Sequence, residues 1–289
     1  MPNLIDLRRR IKSVNNTQQI TRAMKTVSTA KFKKAQRAVL EGRPHWHETP
    51  AVLGRLAAWA GAGAHPLFAV RPEKRVHVLV LTSDKGLCGA FNSNLLARAL
   101  EFIRGKAAGA EVRTIVIGKK AARFFAKQPY AVEKAYADKT DKMAEADFAE
   151  LAAGLGRAFT FQETDAVYVV YNEFKSVLAP RITAVRVLPV ILEAGGPGGE
   201  ADAAGPDWEP AAPWLLAALV PRYLEDQLRH CYGESRAAEE AARMMAMDNA
   251  SKNAEELIGD LVLVLNKIRQ ASITKELLEI ISAVEAIKQ

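Results

Sequence analysis

The sequence predicts an α/β protein in which an antiparallel two-helix coiled coil, formed by the N- and C-terminal helices, carries an inserted α/β domain. Three observations predict it. From Met247 the apolar or small positions run Met247, Ala250, Ala254, Leu257, Leu261, Val264, Ile268 and Ala271, the alternating three- and four-residue steps of a coiled-coil seam. At the other end Leu4, Ile5, Leu7, Ile11 and Val14, then Ile20, Met24 and Val27, mark a second, rougher amphipathic stripe. Between the two, short β-branched runs alternate with helical segments in a βαβ rhythm. Neither stripe can be left in water, and the most economical cover for each is the other.

The elements follow in order. Residues 1–60 read as the N-terminal coiled-coil helix, running from Leu4 to Gly42, kinked at Pro44 and continuing from Val52 to Trp59. Residues 75–193 read as the α/β domain. Its first strand, Val76–Leu81, is the near-continuous apolar run of a strand buried on both faces. A polar glycine turn, Ser83–Asn94, leads into a helix over Asn94–Ile103. Val112–Ile117, Ala166–Tyr171 and Ile182–Leu192 complete about four strands, with helices over Lys119–Ala126 and Asp147–Phe161. Residues 194–213, rich in Gly and Pro, read as a linker or loop. The C-terminal coiled-coil helix, 214–289, is interrupted at Pro221. An unbroken helix from Arg222 to Ile287 spans roughly 100 Å, which exceeds the width of a small domain, so it must project. Its tip (Leu277, Leu278, Ile280, Ile281, Val284, Ile287) is apolar and requires cover from the first helix or from a partner.

Composition excludes several classes. No run approaches the roughly 20 apolar residues of a membrane helix, and Arg8, Arg9, Arg10 and Lys12 interrupt any secretory-type start. Two cysteines far apart, Cys88 and Cys231, fit buried thiols in a reducing compartment. The net charge of +7 is concentrated at the N-terminus: residues 1–43 hold eleven Lys or Arg against Asp6 and Glu41. A basic helix of this kind suits an acidic partner or is simply a solvated face. Few aromatic residues lie near it, which argues against a single-strand stacking platform, and its charges surround the helix rather than opposing an apolar face, which argues against a membrane surface.

A search for chemistry returns little. Ser83–Asn94 (SDKGLCGAFNSN) lies where ligands of doubly wound sheets bind, but its Gly86-x-x-Gly89 spacing matches neither the dinucleotide nor the triphosphate loop. Cys88 near a helix start could be an activated thiol, although no histidine is close in sequence. His45, His47, His65, His77 and His230 form no metal pattern with the cysteines. No catalytic, cofactor or metal site is therefore assigned. A basic scaffold that binds nucleic acid and a Cys88 thiol enzyme stay open at this point.

Three blocks carry a resemblance. LRRRIKSVNNTQQITRAMKTVSTAKFKKAQ (Leu7–Gln36), SDKGLCGAFN (Ser83–Asn92) and ESRAAEEAARMMAMDNASKNAEELIGDLVLVLNKIRQASITKELLEII (Glu234–Ile281) closely resemble the gamma-subunit family of rotary F-type ATP synthases; one small departure is Lys85, where the family commonly has Arg. The resemblance implies a Rossmann-like inserted domain and a central-stalk rotor shaft. Such a shaft couples ion-driven rotation of a membrane c-ring to ATP synthesis or hydrolysis at the beta subunits, with no catalytic site or cofactor of its own. It implies as partners the alpha and beta subunits, the epsilon subunit and the c-ring, with no nucleic acid and no direct membrane insertion. The implied location is peripheral, on the cytoplasmic face of a bacterial plasma membrane. By the same likeness Met24 and Lys25 lie near an acidic lever of the beta subunits, Arg269, Gln270 and Thr274 meet the catalytic subunits near the upper end, and Arg243 supports the coupling region. Leu257, Leu261, Val264 and Ile268 form the seam read above. The plant-type redox cysteine pair is absent from the sequence, and the start at the family's usual position suggests a bacterial or processed chain.

Overall fold

The computed structural model describes residues 4–60, 63, 65–140, 143–176, 180–191 and 209–288. The chain forms two compact units, Met1–Thr29 with Arg243–Gln289, and Ala30–Ala242. Two helices contribute to both: α1 (Leu4–Ala60) and α5 (Ala212–Lys288). Most of the proposed linker, its residues 194–208, lies outside the described residues.

In the first unit the ends of α1 and α5 pair antiparallel. Lys25 Nζ lies 2.6 Å from Asp248 Oδ1, Thr21 Oγ1 lies 2.7 Å from Ser251 Oγ, and Arg22 Nη2 lies 3.1 Å from Glu255 Oε2. Buried or half-buried positions recur on α1 at Leu4, Leu7, Ile11, Val14, Gln18, Thr21, Lys25 and Ser28, and on α5 at Met247, Ser251, Ala254, Ile258, Leu261, Leu265, Ile268 and Ser272. Both rows keep alternating steps of three and four. The seam is therefore not the one read from hydrophobicity. Leu261 and Ile268 lie on it, but Leu257 and Val264 stand one residue aside, 39% and 43% exposed, as do Ile5, Ile20 and Val27 on α1, each more than half exposed. On α1, and at Ser251 beside Ala250 on α5, the cause is a polar layer, whereas Ile258 and Leu265 beside Leu257 and Val264 are themselves apolar. Gln18, Thr21 and Ser251 satisfy one another inside the coil, with Gln18 Nε2 donating to the Ser251 carbonyl at 3.4 Å, so hydroxyl and amide groups occupy positions that a hydrophobic pattern assigns to their neighbours.

The second unit holds a five-stranded sheet in the order β3-β2-β1-β4-β5. Strands β1 (Arg75–Leu81), β2 (Glu111–Ile117), β3 (Ala131–Tyr136) and β4 (Ala166–Glu173) are parallel; β5 (Arg181–Leu188) returns antiparallel to β4. The sequence reading of about four strands missed β3, a sheet-edge strand whose charged residues Glu133 and Lys134 hide the apolar signal. One sheet face is covered by α2 (Phe91–Ala107) and α3 (Lys119–Phe125), packing Leu95, Ala99, Ile103 and Phe125 on Val76, Val78 and Val80. The other is covered by α4 (Glu145–Thr160), the end of α1 and the start of α5, through Phe148, Leu155, Phe159, Leu53, Leu56, Leu216 and Leu224. Pro221 lies inside α5 and does not interrupt it, because Leu216, Val220 and Leu224 on either side of it are fully buried in this core. Pro44 and Pro50 likewise lie within α1. At Pro221, burial of the flanking turns outweighs the hydrogen bond the proline removes.

A closed crevice and the exposed faces of the terminal helices

The strand order reverses beside β1, and in open α/β sheets that reversal opens a ligand crevice at the carboxyl ends of the strands. Next to it, on the β2–β3 side of β1, the chain's own groups tie the loops at the strand ends together. Asp84, just after β1, accepts hydrogen bonds from the Thr140 hydroxyl at 2.5 Å and from the backbone N–H groups of Thr140, Lys119 and Asp138 at 2.8, 2.8 and 3.0 Å. The Lys119 N–H opens α3, so the carboxylate occupies the place where a bound phosphate would meet a helix start. Burial pushes the Asp84 carboxyl up, but the Thr140 hydroxyl and the three N–H donors together outweigh it and hold the group below the usual carboxylate range. Gly118, at φ 101°, lets β2 end against β1: a Cβ there would lie 2.4 Å from the Thr82 carbonyl oxygen. Beside this knot Cys88, Phe91 and Phe174 pack with Phe32, Val39, Ala237, Ala238 and Ala241 of the two long helices. Phe32 and Phe174 meet edge to face at 5.4 Å. The Phe174 N–H donates to Glu234 at 2.7 Å; burial raises that carboxyl, only partly offset by this hydrogen bond and by Arg43.

Neither thiol is presented for chemistry. Cys88 is 2% exposed and close to the Asn92 side-chain amide, while Cys231 is 1% exposed and burial pushes its thiol up to about 12. A thiolate nucleophile has no support at either position.

The residues expected to meet other subunits fall in three places. Lys25 is tied to Asp248, whose carboxyl is lowered first by Lys25 and then by Lys252; Met24 stands beside it, half-buried. Arg243 is 6% exposed. Arg269, Gln270 and Thr274 are exposed, and the Thr274 hydroxyl donates to the Gln270 carbonyl one turn back at 3.0 Å, which places those two on one face. Beyond them Ile273, Leu277, Leu278, Ile280 and Ile281 are each half exposed or more, so among the described residues nothing covers this apolar end. The sequence reading missed Asp84 as the acceptor that ties the loops after β2 and β3 to β1, and the polar layer of the coil. The second was signalled: continuing Leu4, Leu7, Ile11 and Val14 by the same steps lands on Gln18, Thr21, Lys25 and Ser28.

Comparison with known proteins agrees with this arrangement. The ATP-synt family, described as ATP synthase, matches residues 3–287. The ATP synthase gamma chain of Pelotomaculum thermopropionicum is 42% identical over 288 residues, all of both chains. The chain belongs to the ATP synthase gamma chain family. The gamma chain of Solibacter usitatus is 43% identical over 290 residues, 99% of each chain. Among solved structures, a chain of the Euglena gracilis mitochondrial ATP synthase (OSCP/F1/c-ring, rotational state 3) superposes with TM-score 0.66 at 18% identity, covering 98% of this gamma chain and 94% of that one. One from the central stalk/c-ring of the Tetrahymena thermophila enzyme gives 0.62 at 20% identity, covering 80% and 99%. As a gamma chain the protein is the central shaft of an F-type ATP synthase, and catalysis belongs to the complex. At the carboxyl ends of the strands the chain's own groups pair with one another: Asp84 binds the loops after β2 and β3, and Phe174 after β4 packs against Phe32.

Proposed function

We propose that this gamma chain transmits torque through the paired ends of α1 and α5, with Met24, Lys25, Arg243, Arg269, Gln270 and Thr274 as its contacts with the alpha and beta subunits. The α/β domain is the base toward the epsilon subunit and c-ring, and the complex sits on the cytoplasmic face of a bacterial plasma membrane, moving hydrogen ions. No described helix is long and apolar enough to cross a membrane. The observation that carries the reading is the uncovered apolar end of α5, Leu277, Leu278, Ile280 and Ile281, which follows the exposed Arg269, Gln270 and Thr274. An apolar helix end of this kind needs a sleeve from other chains. A single shaft inside a ring of like subunits contacts each differently, and a thousandfold difference in site affinity requires about 4 kcal/mol of differential contact.

The test is purification with matching alpha and beta subunits, followed by ATP hydrolysis on the complex and on the gamma chain alone. One gamma per three alpha and three beta, with activity only in the complex, is the expected result. A complex that forms equally well with a chain truncated after Ala271 would refute the role given to the helix end.

A further inference from the structure

The two edges of the sheet are not alike. At β3 the pairing with β2 slips between Thr114 and Ile115, and the charged residues Glu133 and Lys134 sit at the slip. Glu133 turns in across β2 to His77 on β1, its carboxylate 2.6 Å from Nε2, and Lys134 pairs with Glu150 at 2.7 Å. A bulge and charged side chains both guard an exposed sheet edge against further pairing. At the other edge β5 has no such guard over most of its length. Its register with β4 is unbroken from Arg181 to Arg186. The residues between those two, Ile182, Thr183, Ala184 and Val185, are uncharged, exposed or half-buried, and β-branched apart from Ala184. In an antiparallel pair every second residue turns both its N–H and its C=O away from the partner strand. Among the described residues nothing pairs with these outward groups of β5.

Charge at the two ends of this run selects the partner. Arg186 lies 3.6 Å from Glu73, which Lys106 also contacts at 2.6 Å. Arg181 stands opposite Glu173 in the register, and Lys175 lies 3.9 Å from that carboxylate. Each cluster therefore holds more cations than carboxylates. Arg181 and Arg186 are separated by roughly 17 Å along the strand and, being an odd number of residues apart, lie on opposite faces of the sheet. A strand laid against β5 with a carboxylate at each end of the same span meets both. A second copy of the chain does not meet them. In full-length antiparallel pairing of β5 with itself Arg181 faces Arg186 at both ends, and like charges directly opposite each other destabilise the pair.

We propose that β5 is a docking edge for an extended segment of another chain. The segment adds antiparallel to β5, its backbone pairs with the outward groups of Arg181–Arg186, and carboxylates at its two ends meet Arg181 and Arg186. This edge belongs to the α/β unit alone, apart from the contacts proposed for the paired helices. The test titrates the full chain with the acetylated and amidated hexapeptide Glu-Val-Thr-Ile-Thr-Glu and with Lys-Val-Thr-Ile-Thr-Lys, following the backbone amide signals of β5 by NMR. Saturable binding of the acidic peptide is expected, with slower hydrogen exchange at the outward N–H groups of β5, and the basic peptide should bind at least about tenfold more weakly. N-methylation of every second peptide residue should abolish binding in one phase and spare it in the other, because only one edge of the added strand pairs. Arg181 is exposed and has no ion pair among the described residues, so Arg181→Glu leaves the fold intact. That variant should prefer the peptide whose C-terminal Glu is replaced by Lys, since antiparallel addition sets this end beside residue 181. No saturable binding, equal affinity for the acidic and basic peptides, binding that survives N-methylation in both phases, an unchanged preference in Arg181→Glu, or dimerisation of the chain through β5 would overturn the assignment.

Discussion

Substituting Asp at Leu257, Ile258 and Leu261 separates the coil's true seam from its apparent one. Leu261 is 8% exposed. Removing its side chain forfeits about 2 kcal/mol of apolar burial, and leaving an unpartnered carboxylate in its place adds about 2 kcal/mol more. Leu261→Asp should therefore destabilise the paired helices by about 4 kcal/mol. Ile258, half-buried on the same row, should lose about half as much. Leu257, 39% exposed and beside the row, should lose less than about 1 kcal/mol although it is adjacent in sequence and more hydrophobic in pattern. The helix-propensity cost of Asp is common to all three and cancels. The assay is urea denaturation of the isolated chain by circular dichroism, where no stator subunit can mask or mimic an effect. In the assembled enzyme Leu261→Asp should also separate ATP hydrolysis from ion pumping. Greater loss of stability for Leu257→Asp than for Ile258→Asp would refute the seam, and full coupling in Leu261→Asp would refute its role in torque.

Asp84→Ala removes the acceptor for four hydrogen bonds and should cost about 3 kcal/mol at neutral pH, with water rescuing part of the loss. Because the folded-state pKa of Asp84 lies below its unfolded value, its contribution is complete above the ordinary carboxylate range and disappears as pH falls through the depressed folded value; parent and variant should therefore converge in stability on acidification, as urea midpoints across a pH series would show. Exchanging the partners, Lys25→Asp with Asp248→Lys, should leave stability within about 1 kcal/mol, since Lys25 is 45% exposed; if Lys25 also meets the beta subunits, ATPase turnover in the complex should fall although the coil melts normally. Neutralising Arg269 together with Gln270→Ala should slow turnover without releasing the gamma chain, and gel filtration showing loss of assembly would make those residues structural. Thiol labelling at neutral pH should be slow at both Cys88 and Cys231, and rapid reaction at Cys231 would contradict its buried, raised thiol.

Legibility followed the kind of signal. Strands β1, β2 and β4 and helices α2 to α4 were readable because burial on both sheet faces demands unbroken apolar runs and burial on one helix face demands a stripe. Strand β3 was not, because an edge strand is stabilised by backbone pairing on one side while its side chains stay polar. The interruption expected at Pro221 did not appear, since local chain preference yields to the core on either side of it, while α1 continues through Pro44 as expected. Among the candidate site residues, Arg269, Gln270 and Thr274 could be chosen from the sequence only through family likeness; nothing in their local pattern distinguishes them from other solvated helix positions.

The sequence alone determined that two long terminal helices enclose an α/β domain, because periodicity over many turns is a sum of many weak preferences that agree. It also determined the absence of a phosphate loop, since that chemistry needs glycines at fixed spacing. Only the tertiary structure decided which row of the coil is buried, what ties the loops at the strand ends together, and that His77 meets Glu133 across the sheet. Each depends on a partner remote in sequence, Ser251 for Thr21, Thr140 for Asp84 and Glu133 for His77. A polar side chain reveals its role only when its hydrogen-bond partner is in place, and that pairing is set by the packing of the whole chain rather than by local pattern.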